Sequence, residues 1–316
     1  MNVVDRARLE WLEARRAGVG ASDVAGILGV SPWASPWSVW ADKVGLAPLD
    51  DDDPSDVMNL GRDLEPVIAR WFGDRTGLYV VGMQSMVWHP TAPWFATVDG
   101  FVNESPVSSV HAMLGVFESK YTGDPVWDEV PQHYVLQCQW AMHCTGFDRA
   151  WLAAMHLPFG RPDFHVYELT RDDLALEQIV AAVSTFWNDH VVTGRPPDPD
   201  GHPATTSALA VAWLNPAKEP AVDLTPLADR IADLDALKAS AKHIAADIAH
   251  VENEIKAALG MHSEGWVDGE LAVSWREQRN RPGVDADRVR TEYGDMYDKP
   301  APNPYRVLRL HGKKAR

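Results

Sequence analysis

Asp99 closes the run Trp94-Phe95-Ala96-Thr97-Val98, and nineteen residues later Glu118-Ser119-Lys120 follows Val116-Phe117. Both runs read as strands. Side chains at i and i+2 of a strand share a face, so Glu118 and Lys120 project together, with Asp99 beside them. Glu65 stands upstream in Gly61-Arg62-Asp63-Leu64-Glu65, and Tyr134-Val135-Leu136-Gln137 follows downstream. These oxygens suit Mg²⁺, which prefers carboxylates and carbonyls and keeps several waters. Asp99 and Glu118 supply two carboxylates, the Ser119 carbonyl a third ligand, and Glu65 a contact to a second ion or its waters. Two ions about 4 Å apart stabilise the attacking and leaving oxygens of a phosphodiester together. Lys120 orients the attacking water or stabilises charge on phosphorus. Phosphoryl-type transfer is mostly positioning and electrostatics, so no covalent nucleophile is required. The expected chemistry is Mg²⁺-dependent phosphodiester hydrolysis with two ions, Mn²⁺ being the alternative metal. No piece is specific alone. E-x-K is usually a pair of strand charges, Asp-Gly a turn, and Glu65 a surface helix acid. Their joint order on successive elements is the signal.

The frame for these groups follows from periodicity. Residues 5–17 read as a helix, and Ser22 or Asp23 caps a second that Gly29 ends. Ser35-Pro36 starts a third, carrying Trp37 and Trp40. Leu60, Leu64, Val67, Ile68 and Trp71 recur at helical spacing and predict a helix over 57–76, with Glu65 at the edge of its apolar stripe. Strands are expected at 78–88, 94–103 and 109–121, a helix at 127–145, strands at 149–157 and 163–169, and a helix at 171–193. This order predicts an α/β (α+β) fold with a mixed central sheet flanked by helices. The proline-rich stretch Arg195 to Gly201 reads as the start of a linker. The expected divisions are a core over 1–194, a linker over 195–220, and a helical and β-hairpin region over 221–316. In that last region Leu227, Ile231, Leu234, Ala241, Ile244, Ile248, Val251, Ile255 and Ala258 trace a nearly heptad stripe, that of a long helix or helical hairpin with an assembly or partner role. Trp266 to Gln278 reads as a hairpin turning at Asp268-Gly269. Tyr305 to Leu310 could form one more strand, and Lys313 to Arg316 a solvated tail.

Composition excludes several classes. No run of about 18 apolar residues occurs, so no membrane helix is expected, and the N-terminal residues lack the apolar core of a signal peptide. The expected location is cytoplasmic. Cys138 and Cys144 are the only cysteines. They are too few for a four-thiolate iron–sulfur cluster and lie six apart on one expected helix, so free buried thiols are expected. The twelve histidines include no H-x-x-x-H pair, which disfavours a zinc enzyme. A net charge of −16 argues against nonspecific coating of DNA but leaves room for a local basic groove. Part of that charge lies in Asp50 to Asp56, expected to be a solvated loop.

Four blocks together resemble a known family. They are Trp11 to Asp23 continuing to Gly29-Val30-Ser31-Pro32-Trp33; Gly61 to Glu65; Asp99-Gly100 with Glu118-Ser119-Lys120; and Tyr134 to Gln139 with Met142 and Gly146. The set is similar to the YqaJ-type viral recombinases, which group with lambda exonuclease in the PD-(D/E)xK nuclease superfamily. The resemblance covers about residues 8–190. It implies a restriction-endonuclease-like core in which Asp99, Glu118 and Lys120 are the metal and catalytic centre, Glu65 assists, and Gln137 with Tyr134 orients the site. It also implies that Arg15 and Ser22, with Thr97, contact a DNA phosphate, in processive members the 5′ phosphate. Arginine with hydroxyl donors suits such a group. The activity implied is exonucleolytic resection of linear duplex DNA, 5′→3′, leaving 3′ single strands for a single-strand annealing protein during phage recombination. A toroidal homo-oligomer, such as a trimer, is implied as well.

The chain departs from the family pattern in three places. Val98 stands where the motif's name has proline, Pro131 precedes Tyr134, and no basic residue follows soon after Lys120. An endonuclease of the same fold and a noncatalytic DNA-binding scaffold are the competing readings. Trp33, in the loop Ser31-Pro32-Trp33, is a candidate base-stacking wedge; Trp37, Trp40 and Trp94 read more naturally as core anchors.

Overall fold

The computed structural model describes residues 3–48, 56–107, 112–214 and 221–276. The chain divides into two compact units, residues 1–213 and 214–316. The acidic run Asp50 to Asp56 lies outside the described residues apart from Asp56, the first residue of the fourth helix. The expected strand Tyr305 to Leu310 and the tail Lys313 to Arg316 also lie outside them.

The first unit opens with α1 (Val3–Arg16), α2 (Ala21–Ile27), α3 (Pro36–Lys43) and α4 (Asp56–Thr76). Neither Ser22 nor Asp23 is the N-cap of α2. Gly20 is extended there, and its N–H donates to Asp23 Oδ2 at 2.8 Å. Asp23 therefore reaches back from the third helical position, which leaves the Ser22 hydroxyl for other work. Ser35 does cap α3, accepting from the Ser38 amide ahead of Pro36. In α4, Pro66 follows Glu65 directly. Proline has no N–H, so the helix lacks the usual bond back to the Arg62 carbonyl at this point.

The strands depart from the expected runs where the chain must turn. The expected strand at 78–88 is two, β1 (Tyr79–Val81) and β2 (Ser85–Trp88), separated by Gly82 and Gln84, whose φ angles are 62° and 57°. The expected strand at 94–103 is likewise two, β3 (Phe95–Val98) and β4 (Gly100–Asn103), parted at Asp99. β2 pairs with β3 in a separate ribbon, while β1 pairs with β4 in the main sheet. Asp99 and Gln84 thus sit at the two corners where this hairpin leaves the sheet. The Gln84 N–H donates to the Asp99 carbonyl at 3.3 Å and ties the corners together.

The main sheet has the order β1-β4-β5-β6-β7, with β5 (Met113–Thr122), β6 (Arg149–His156) and β7 (Asp163–Thr170). It is mixed as expected: β5 and β6 are parallel and the other neighbours antiparallel. The parallel pair needs a crossover, supplied by α5 (Gln132–Thr145). α5 begins five residues later than expected because Pro131 stands at its N-cap. The two cysteines are buried on α5 and unbonded. α6 (Asp173–Phe186) follows β7 and continues as a π-helical turn, Trp187–Val191.

Alternation along β5 and β6 sends side chains into two cores. Val116, Ala150, Leu152 and Ala154 join Trp37, Trp40, Trp94 and Trp140 under α2, α3, α5 and α6. Phe117, Trp151 and Met155 join Ile68 and Phe72 of α4 with Phe164. The first unit ends with α7 (Pro203–Ala212). Thr205 hydrogen-bonds Ser35 at 2.7 Å, and Trp213 meets Trp37 edge-on at 5.5 Å. These contacts place the proline-rich stretch inside the first unit.

The second unit holds α8 (Ala228–Leu259), one continuous helix of 32 residues and about 48 Å at 1.5 Å per residue. The hairpin β8 (Glu264–Val267) and β9 (Glu270–Ser274) turns at Asp268-Gly269, both with positive φ. That is the backbone a two-residue turn demands. Among the described residues, no helix is long and apolar enough to cross a membrane.

Gly115 tests how tightly the sheet meets the second core. A Cβ there would overlap the Arg149 carbonyl and come within 2.9 Å of the Trp151 ring. Gly115→Ala is expected to destabilise the first unit by about 1–3 kcal/mol, read as a lowered urea midpoint without a change in slope.

Candidate active site

The corner at Asp99 brings α4, β5 and α5 to one place. Val116, Glu118 and Lys120 share the face of β5 that meets α5, and Ser119 points the other way. Lys120 Nζ donates to Glu118 Oε1 at 2.6 Å, and Gln137 Nε2 donates to the same oxygen at 2.5 Å. Glu118 is 3% exposed. Ser119 holds Asp99: its N–H and hydroxyl donate to Asp99 Oδ2 at 2.8 and 2.7 Å. From the far side, Gln84 Nε2 donates to Glu65 Oε2 at 2.5 Å and lies 3.5 Å from Asp99 Oδ1. Glu65, Asp99, Glu118, Ser119, Lys120 and Gln137 are thus gathered in one place. Tyr134 joins them, with Lys120 Nζ 5.2 Å from its ring centroid.

Electrostatics follow from this crowding. Burial and the Asp99 charge push the Glu118 carboxyl up to about 7. Burial and Asp99 also raise Glu65. Burial opposes the charge on Lys120, but Glu118 and Asp99 outweigh it and raise its pKa, holding the ammonium protonated. Three carboxylates face one ammonium, which is the charge balance of a cation site. Among the described residues, no three His, Cys, Asp or Glu side chains stand close enough to form a metal cage by themselves. A hard ion here would therefore complete its shell with water and the Ser119 carbonyl, as Mg²⁺ readily does. Asp99 and Glu118 would hold such an ion through their carboxylates, and this all-oxygen donor set fits it.

Arg15 and Ser22 form a second pair. Arg15 Nη2 donates to Ser22 Oγ at 3.2 Å, and the guanidinium lies 4.7 Å from the Trp11 ring centroid. Buried Lys43 bridges this corner, donating to the Arg15 carbonyl at 3.0 Å and pairing with Asp23 at 2.7 Å. Two backbone bonds, Val19 to Pro93 and Phe95 to Val19, fix the α1–α2 junction beside β3. Thr97 sits on β3, and its buried hydroxyl has no hydrogen-bond partner among the described residues. Trp33 is 67% exposed and reaches Tyr134, at 6.2 Å between ring centroids.

Gln84 is the group that sequence reasoning missed. Its position in a stretch read as continuous strand hid it. The signal was Gly82, a break two residues before a polar side chain.

Comparison with known proteins shows what this chain is similar to. Residues 10–148 match the family model of the YqaJ-like viral recombinase domain. The match spans every block from Trp11 to Gly146, and the resemblance to YqaJ-type viral recombinases stands on it. The chain is also 28% identical over 300 residues to the "Uncharacterized protein YqaJ" of Bacillus subtilis (strain 168), covering 93% of this chain and 91% of that protein. That span necessarily takes in most of the second unit. Among solved structures, the alkaline exonuclease LHK-Exo of Laribacter hongkongensis aligns with a TM-score of 0.45 at 22% identity, over 59% of this chain and 93% of that one. A phage related exonuclease from Haemophilus somnus 129PT aligns with a TM-score of 0.41 at 14% identity, over 56% of this chain and 96% of that one.

The buried pair has a measurable signature. In metal-free buffer, Lys120→Met leaves Glu118 without its cation and is expected to cost on the order of 3 kcal/mol. Glu118 has a folded pKa above its unfolded value, so its contribution is full at low pH and fades as pH rises through about 7. The penalty of Lys120→Met should accordingly be larger at pH 9 than at pH 6, and adding Glu118→Gln should recover most of it. Denaturant unfolding at the two pH values checks both expectations.

Proposed function

We propose that this protein is a Mg²⁺-dependent exonuclease that resects linear duplex DNA 5′→3′ and leaves 3′ single strands for recombination by annealing. The supporting observation is two hydrogen-bonded sets, Glu65–Gln84–Asp99–Ser119 and Lys120–Glu118–Gln137, which adjoin along β5 inside a stretch that matches a viral recombinase domain. Asp99, Glu118 and the Ser119 carbonyl would hold the ion, with Glu65 serving a second. When bound, Mg²⁺ supplies Lewis-acid stabilisation of charge developing on the phosphate oxygens.

The chain's own groups do the rest. Ser119 and Gln137 fix the two carboxylates, and Gln84 sets the spacing between Glu65 and Asp99. Water attacks phosphorus in line with the departing 3′ oxygen, releasing a nucleotide and leaving a 5′ phosphate on the shortened strand. Lys120, held protonated by its neighbours, favours charge stabilisation at the crowded phosphorus over proton abstraction. Arg15, Ser22 and the unpartnered Thr97 hydroxyl offer donors to the new terminal phosphate.

End-labelled linear duplex with Mg²⁺, compared with closed circles, tests the reading. Linear DNA should be degraded and circles spared, and Lys120→Ala should lower the rate roughly 10²–10³-fold. Cutting of circles would make the protein an endonuclease, and cleavage of neither substrate under any divalent ion would leave a binding role.

Self-association belongs to the same proposal, because a ring enclosing DNA reconciles tight local binding with a net charge of −16. On α8, Ile231, Ile244, Ile248, Val251 and Ile255 are each more than a third exposed and recur at heptad-compatible positions. Sedimentation at micromolar concentration should show an oligomer such as a trimer, and only monomer would count against it.

A further inference from the structure

Beside Lys120 and Tyr134 lies a cavity of about 410 Å³ whose lining includes Trp33, Tyr121, Gly123, Asp124, His133 and Tyr134. It has the size of a small-ligand pocket. Trp33, at the tip of an exposed loop, meets His133 edge-on at 4.9 Å and faces Tyr134 at a 38° tilt. Ser31 Oγ holds that loop, accepting from the Trp33 and Ala34 amides at 3.1 Å. The two facing rings stand 6.2 Å apart, slightly less than the about 7 Å that two stacked contacts with an inserted ring require.

Three details single this cavity out. His133 Nε2 is buried and has no hydrogen-bond partner among the described residues. Burial, with Lys120 beside it, lowers the His133 pKa and keeps the ring neutral, able to donate or accept. Buried polar atoms are rarely left unpaired, so a group on a ligand is the natural partner. Exposed Gly123 leaves its side of the cavity open, since a Cβ there would meet nothing within 4 Å. Tyr134 links the cavity to the phosphodiester chemistry, because Lys120 Nζ stands over its ring.

We propose that this cavity is a nucleobase subsite: it receives one unstacked base of the strand being cut, stacked on Trp33 and hydrogen-bonded at its edge by His133. The inference rests on the nuclease reading above and adds to it. Base–aromatic stacking tolerates any sequence, because every base has a π face, and a resecting enzyme has that requirement. A base held here would draw the end of the strand out of the duplex and keep its phosphate in register with Lys120.

The test uses the full chain with Mg²⁺ and linear duplexes that carry one abasic position, moved in turn through the first nucleotides of the 5′ strand. At one register the single-turnover rate should fall roughly 5- to 150-fold, the worth of one stacked base. Trp33→Ala should lose a similar factor on intact DNA and show no further abasic penalty, while Trp33→Phe restores most of the rate. Gly123→Leu, which adds a bulky side chain to the cavity lining and leaves Trp33 in place, should mimic Trp33→Ala. Uniform rates at every register, or an abasic penalty that persists in full in Trp33→Ala, would overturn the subsite while leaving the nuclease intact.

A binding arm is independent of cleavage. The wild type should bind dAMP at least tenfold more tightly than 2-deoxyribose 5-phosphate, and Trp33→Ala should lose that difference. Equal affinities in the wild type would overturn the subsite. Absence of any DNA cleavage would overturn the nuclease reading, and the binding comparison would then decide the subsite by itself.

Discussion

Like charges brought together in a half-dry corner set the terms for the rest of the first unit. Glu65, Asp99 and Glu118 repel one another, and burial strengthens that repulsion. The fold opposes it with donors from three different segments: Gln84 from the corner after β1, Ser119 and Lys120 from β5, and Gln137 from α5. Each donor requires its element to arrive in register. β5 must pair with β4 so that Asp99 lands on Ser119, and α5 must cross over β5 so that Gln137 lands on Glu118. The large apolar cores on either side of the sheet supply the cohesion that makes such a gathering tolerable.

The sheet divides the labour within a single tripeptide. Glu118 and Lys120 point towards α5, and Ser119 points away, yet all three serve the same centre. This is possible because Asp99 lies where β3 gives way to β4, off the regular ladder, and can approach the strand from its edge. Had the chain run straight from residue 94 to 103, alternation alone would fix which way Asp99 points. The break that separates two short strands is what lets the carboxylate meet a backbone N–H and a hydroxyl at once.

Much of this was legible in the sequence. The acidic set and its carriers follow from spacing, and the helices, the mixed sheet and the hairpin at Asp268-Gly269 follow from periodicity and turn chemistry. The family match covers the same blocks that carried the resemblance. What escaped was decided by local backbone geometry. Two residues with positive φ split a continuous-looking strand and hid Gln84. Asp23 serves the start of α2 from within the helix, so residue type points to Ser22 or Asp23 where Gly20 is the cap. Pro131 delayed α5 by five residues. Periodicity reports burial, and none of these features changes burial.

The order of these segments along the chain has a consequence for biosynthesis. The acidic groups emerge from the ribosome well before Gln137, and β5 keeps an open edge until β6, beginning at Arg149, pairs with it. Until then Glu118 has neither its amide partner nor the shelter that sets its protonation. A truncated or stalled translation product therefore carries the acidic residues without the donors that gather them, and only completion of the domain assembles the cluster.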